Sequence, residues 1–237
     1  MGFFKVAAAS AAVLASMASA TVPGLPSQPM QSRLRPPVVD STHATSGAAT
    51  FQQYIDHNNK HLGTFSQSYW WSDQYCSGPG CPIVLFTPGE SNATAYQGYL
   101  TNRTLTGQFA QAIGGAVILI EHRYWGNSSP FPQLTTKNMQ YLTLENSIQD
   151  LVNFANNVQL PFGKHGLQNA GKAPWVLSGG SYSGALTAWT ASVAPGTFWA
   201  YHATSAPVEA IYDYWEYFQP IQDGMPKNCS KLSLIHI

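Results

Sequence analysis

The stretch PWVLSGGSYSGALTAW, Pro174–Trp189, decides how the chain is read. A short apolar run, Trp175 to Ser178, leads into Gly179, Gly180, Ser181, Tyr182, Ser183 and Gly184. An alanine-rich run, Ala185 to Val193, follows and stops at Pro195-Gly196. That order predicts a buried strand, a very tight turn and a helix. In an open sheet of parallel strands such a turn lies at the carboxyl edge, where ligands bind. A serine there adopts a sparsely populated backbone conformation, and small neighbours relieve the crowding. The hydroxyl would face free N–H groups at the helix start. This is the pattern of a nucleophile elbow. Ser181 has glycine two residues before it and a small residue two after, which favours it over Ser183. The backbone N–H of Tyr182 is then one oxyanion donor. A glycine-rich connector without chemistry is the plain alternative. A phosphate cradle is disfavoured, because no Lys follows Gly184 and the glycines miss the dinucleotide spacing.

Working outward, two more apolar runs read as strands buried on both faces: Pro82 to Phe86 (PIVLF) and Ala116 to Glu121 (AVILIE). Phe51 to Ile55 and Phe65 to Trp71 read as paired strands, and Phe198 to Ser205 as a further strand. Thr106 to Ile113 reads as a helix closed by Gly114-Gly115. Leu144, Ile148, Leu151, Ala155 and Val158 form one apolar stripe of a helix, with Thr143 as its N-cap. Alternating buried strands and helices predict an α/β fold with a mainly parallel sheet covered on both faces. Two other loops then reach the edge that carries Ser181. In Thr87–Glu90, Gly89 or Glu90 is the candidate for the second oxyanion donor, and Glu90 is also a candidate for the substrate side. In Glu121–Gly126, His122 is a candidate for touching substrate, while Arg123 reads as an anchor of loops.

The first 20 residues read as a secretory signal peptide: Lys5, the apolar stretch Val6–Met17, then Ala18-Ser19-Ala20. Residues 21–46, with five prolines between Pro23 and Pro37, read as a linker or pro-segment. The expected location is extracellular, or a vacuolar or lysosomal-type compartment, without stable membrane association. On that route Cys76 and Cys81, which bracket Ser-Gly-Pro-Gly, are expected to pair, leaving Cys229 over. Asn92, Asn102, Asn127 and Asn228 are glycosylation sequons. Charged residues are 9% of the chain, against a typical ~25%, and net charge is zero. Without a basic cluster, nucleic acid is not an expected partner. No metal site is expected either.

Six stretches resemble the secreted and lysosomal serine peptidases that include prolyl carboxypeptidase and dipeptidyl peptidase II, in a fungal-type version. They are FQQYIDHNN…GTFSQSYWW, LFTPGE, ILIEHRYWGNSSP, YLTLENSIQDLVNF, GGSYSGALTAW and FWAYHATSAPV, spanning roughly Thr50 to Tyr217. The resemblance implies an α/β-hydrolase fold over residues 47–205, with a helical cap starting in 206–231. It implies a Ser-Asp-His triad with Ser181 as nucleophile, no cofactor, and cleavage of proline-containing peptides after proline, often at a chain end. His202, His236, Asp213 and Asp223 do not fall where this fold places its acid and base. The chain is therefore expected to be an N-terminal fragment, truncated before the last core strands and inactive alone, with 232–237 a foreign tail. A secreted esterase or lipase, and a non-catalytic binding protein on the same scaffold, are the alternatives.

Overall fold

The computed structural model describes residues 45–163, 166–227 and 229. The expected signal peptide, nearly all of the linker, and the tail lie outside the described residues. One six-stranded sheet organises the rest, in the order β1-β2-β4-β3-β5-β6. β1 (Ser46–Tyr54) and β2 (Thr64–Ser72) form an antiparallel hairpin whose register runs from Ser46 opposite Ser72 to Tyr54 opposite Thr64. β1 starts five residues before the sequence-predicted strand. Ser46–Thr50 carry little apolar character of their own, and their partners Ser68–Ser72 include Tyr69, Trp70 and Trp71.

β3 (Ile83–Thr87) and β4 (Ala116–Ile120) are buried at every position. They pair in parallel, β3 also pairs in parallel with β5 (Trp175–Gly180), and β5 with β6 (Ala200–Thr204). Three helices make the crossovers. α1 (Leu105–Ile113) ends on Gly114 in the left-handed conformation that favours glycine (φ 64°). α2 (Leu144–Asn157) is N-capped by Thr143, whose hydroxyl accepts the Asn146 N–H at 3.1 Å. α3 (Tyr182–Val193) begins immediately after Ser181.

Alternate residues of each strand serve opposite layers. Ile83, Leu85, Ile118, Ile120 and Leu177 join Phe154 of α2 and Leu186 of α3 in one core. Val84, Phe86, Val117 and Leu119 join Ala110 of α1 in another, with Leu100 from a 3-10 segment, Ala93–Leu100, that sequence reading missed. This two-layered burial is what the continuous apolar runs encode. After β6 come a 3-10 turn, Trp215–Phe218, and the short α4 (Gln219–Gly224), neither with a buried residue. The described residues form part of an α/β-hydrolase fold. Its carboxyl edge collects the ends of β3, β4, β5 and β6.

Candidate active site

Ser181 is exposed and sits at φ 57°, ψ −130°, a conformation L-residues rarely adopt. Such geometry costs about 1–3 kcal/mol and persists only where the surroundings impose it. Here the Ser181 N–H donates to the Thr204 carbonyl at 3.0 Å, and the Ser181 carbonyl accepts from the Ala185 N–H at 3.0 Å. The first bond ties the turn to β6, and the second closes the first turn of α3. Gly184 is forced by contact: a Cβ there would stand 2.6 Å from the Thr204 carbonyl oxygen. The Ser181 hydroxyl makes no cap bond to the helix it precedes. Ser183, two residues on, is 1% exposed.

Ser181 lines a cleft of about 510 Å³ with Gly180, Phe86, Tyr99, His202 and Thr204 among its walls. Phe86 and Tyr99 stack with centroids 4.4 Å apart, giving the cleft a flat aromatic side. His202 is held from behind, its Nδ1 lying 3.0 Å from Ser178 Oγ, and its ring meets Phe109 edge-on at 5.0 Å. Across the elbow the Thr87–Glu90 loop presents buried Gly89 at φ 74°. A Cβ at Gly89 would come within 2.5 Å of Ser183 Oγ and 3.2 Å of Tyr182 Cδ1, so only glycine lets this loop lie against α3. The Gly89 N–H points to Thr87 Oγ1 at a long 3.4 Å, and Glu90 is exposed. The structure thus brings Ser181, Tyr182 and Gly89 together, with His202 in the same cleft. Asp213 and Asp223 are exposed and do not line it, Asp223 instead accepting the Gln219 amide at 2.8 Å. His236 lies outside the described residues.

The Glu121–Gly126 loop contains a buried knot. Arg123 is 0% exposed and uses all five N–H donors. Nε and Nη2 grip Asp150 at 2.7 and 2.6 Å, while the remaining donors reach the carbonyls of Tyr54, Ile55 and Tyr141. His57 Nε2 adds a third contact to Asp150 at 2.8 Å. Glu121, 1% exposed, accepts the N–H groups of Ala93 and Asn127 and the Ser128 hydroxyl. Sequence reading gave Arg123 its anchoring role but missed Asp150 and Glu121. The available signal was an acid one position from the apolar stripe of α2, facing inward with Asn146 and Ser147.

His122 is buried, and both ring nitrogens are engaged. Nδ1 lies 2.8 Å from the Arg123 carbonyl, which can only accept, so Nδ1 carries the proton. Nε2 therefore accepts from the Tyr182 hydroxyl at 3.1 Å. Burial pushes the imidazole pKa down, opposed by the Arg123 carbonyl and by Asp150. Burial pushes the Tyr182 phenol up, against a smaller opposing pull from the Ser147 side chain. Cys76 and Cys81 form a disulfide, and Cys229 is free and exposed. Of the sequons, Asn92, Asn102 and Asn127 are exposed, whereas Asn228 lies outside the described residues.

A serine at positive φ between a buried parallel strand and a helix, glycine-cradled at the carboxyl edge, has the form of the nucleophile elbow of α/β-hydrolases. Residues 53–232 match the family model of serine carboxypeptidase S28, and the chain belongs to that family. It is 47% identical over 206 residues to serine protease vicPa of Bipolaris victoriae (strain FI3), a match covering 87% of this chain and 39% of the relative. It is 33% identical over 195 residues to a probable extracellular serine carboxypeptidase of Arthroderma benhamiae, covering 79% and 27%. The human thymus-specific serine protease is 32% identical over 157 residues, covering 65% and 28%. The chain thus spans about two-fifths of the length of vicPa and less of the other two.

Proposed function

We propose that the whole protein is a secreted serine peptidase that cleaves peptides after proline through an acyl-enzyme, with Ser181 as nucleophile. The exposed Ser181 hydroxyl at φ 57° carries this reading, standing before the free N–H groups of α3. Ser181 Oγ attacks the scissile carbonyl and a histidine takes its proton. The N–H groups of Tyr182 and of Gly89 stabilise the oxyanion; losing one such donor typically costs about 10²–10³ in rate. The proton passes to the departing amine as the C–N bond breaks, and water then releases the acyl group. The histidine, and the carboxylate that orients it, belong in this reading to polypeptide following residue 231 in the longer protein. The preference for proline rests on the sequence resemblance. The Phe86–Tyr99 wall supports it, since a pyrrolidine ring packs well on a flat aromatic face.

Secretion is supported by the leader-like residues 1–20, the Cys76–Cys81 disulfide and the exposed sequons at Asn92, Asn102 and Asn127. No described helix is long and apolar enough to cross a membrane. The deciding experiment compares the full-length protein with its Ser181→Ala variant on prolyl peptides and on short-chain esters. Peptide turnover that falls at least ~10³-fold in the variant is the expected result. Full turnover without the hydroxyl removes Ser181 from the mechanism. Turnover of esters alone replaces the peptidase reading with an esterase. Glycosidase treatment of the secreted protein should lower its apparent mass, and an unchanged mass would remove the glycan assignment.

A further inference from the structure

His122 does not open onto the cleft; it ends a chain of fixed contacts that leads into the elbow. Its Nδ1–H is spent on the Arg123 carbonyl, and its ring meets Trp125 edge-on at 5.0 Å. The adjoining Arg123 side chain is itself locked by five hydrogen bonds. The imidazole is therefore a rigid acceptor aimed at one donor, the Tyr182 hydroxyl at 3.1 Å. Tyr182 is the first residue of α3, so the backbone N–H assigned to the oxyanion belongs to the same residue. The opposite edge of its ring lies against Gly89, where a methyl group would come within 3.2 Å of Cδ1. The tyrosine ring is thus a plate between two loops, held at its hydroxyl end by His122 and more weakly by the Ser147 side chain, and set against the second candidate oxyanion donor at the other end.

We propose that His122 is a positioning residue: through the Tyr182 hydroxyl it fixes the spacing between the Tyr182 and Gly89 amides. This rests on the Ser181 reading above. Without the phenol–imidazole bond only the weaker Ser147 contact restrains the phenol, the plate can tilt, and the two amides lose a common geometry. Oxyanion donors act on the charge that develops in the transition state, so their drift lowers kcat while substrate binding and KM hold. A residue that only filled space would move stability and leave both constants alone.

The test uses the full-length protein and steady-state hydrolysis of a chromogenic short-chain ester, which reports acylation whatever the peptide preference. Ser181→Ala is measured first; if it keeps turnover, the nucleophile assignment fails on its own account and the positioning role falls with it. If it loses turnover, Tyr182→Phe and His122→Ala are expected to lower kcat about tenfold or more, with KM within about twofold. His122→Gln, which retains a donor for Arg123 and an acceptor for Tyr182, should recover kcat to within about threefold of wild type. The double variant Tyr182→Phe/His122→Ala should be no slower than His122→Ala alone, because the two act as one unit. Wild-type kcat in both single variants, an effect confined to KM, or losses that multiply in the double variant would each overturn the proposal. Should His122→Ala fail to fold, Tyr182→Phe and His122→Gln still decide, as the first removes a single oxygen and the second preserves both bonds.

Discussion

Two regions at the same sheet edge solve opposite problems. At the elbow, one exposed serine occupies a strained conformation and its hydroxyl caps nothing. Across β3, at the end of β4, Arg123 is wholly buried and every one of its donors is matched. The elbow leaves its strained side chain open to the cleft. The knot holds loops still by leaving nothing unsatisfied, joining β1, the Tyr141 segment and α2 around a single guanidinium. The contrast teaches that each region carries its own restraint: positive φ persists only where neighbours impose it, and at Ser181 those neighbours are Thr204 and Ala185.

Breaking the knot should have the largest effect. Arg123→Leu leaves Asp150 buried beside His57 alone, and removing one partner of a buried pair typically costs about 3–5 kcal/mol. Chemical denaturation of the full-length protein should show that loss. A change under about 1 kcal/mol would mean the knot is not what steadies these loops. Opening the Cys76–Cys81 disulfide comes next. It closes a loop of only a few residues, so chain entropy predicts about 2 kcal/mol from Cys76→Ala/Cys81→Ala. The elbow should respond in the other direction. Ser181→Gly removes the side chain that makes φ 57° costly, and stability should rise by about 1 kcal/mol while turnover is lost. A variant that is less stable than wild type would show that the serine is not strained in the native protein.

Legibility in the sequence divides along the same line. The elbow was readable because its constraints are local: Gly179, Gly180 and Gly184 stand within three residues of Ser181, flanked by a strand run and a helix run. The central strands were equally plain, since PIVLF and AVILIE bury both faces and need no pattern from elsewhere. The knot was half-readable. Arg123 stood out as a charge at a strand end, but Asp150 lies 27 residues away on a helix. Nothing local marks it as the partner. The 3-10 segment Ala93–Leu100 was missed for a related reason: its first N–H is held by Glu121, 28 residues on. The outer half of β1 is a strand by virtue of Trp70, Trp71 and Ser72 opposite, not of its own small residues. Contacts that close long loops leave little trace in local composition.

The smallest predicted effect joins the two regions, because His122 is adjacent to Arg123 in sequence and bonded to Tyr182 in space. Burial lowers its pKa in the folded state, while the unfolded chain titrates near the ordinary imidazole value of about 6.5. Below that value the unfolded state binds the proton more readily, so protonation favours unfolding. The stability that neutral His122 contributes is therefore fully present above about pH 6.5. It declines as the pH falls below that value, and the decline levels off once the folded pKa is passed. The Arg123 carbonyl, Asp150 and, less strongly, Glu90 pull the pKa upward, and Arg123 pulls it down through charge, so these partly cancel burial and the slope should be shallow. The check is the difference in stability between wild type and His122→Gln, followed from pH 8 to pH 5. The wild type should lose ground relative to the variant as acid is added, since glutamine has no proton to take up. If the gap stays constant across that range, the imidazole titrates alike in both states, and burial does not govern the protonation of His122.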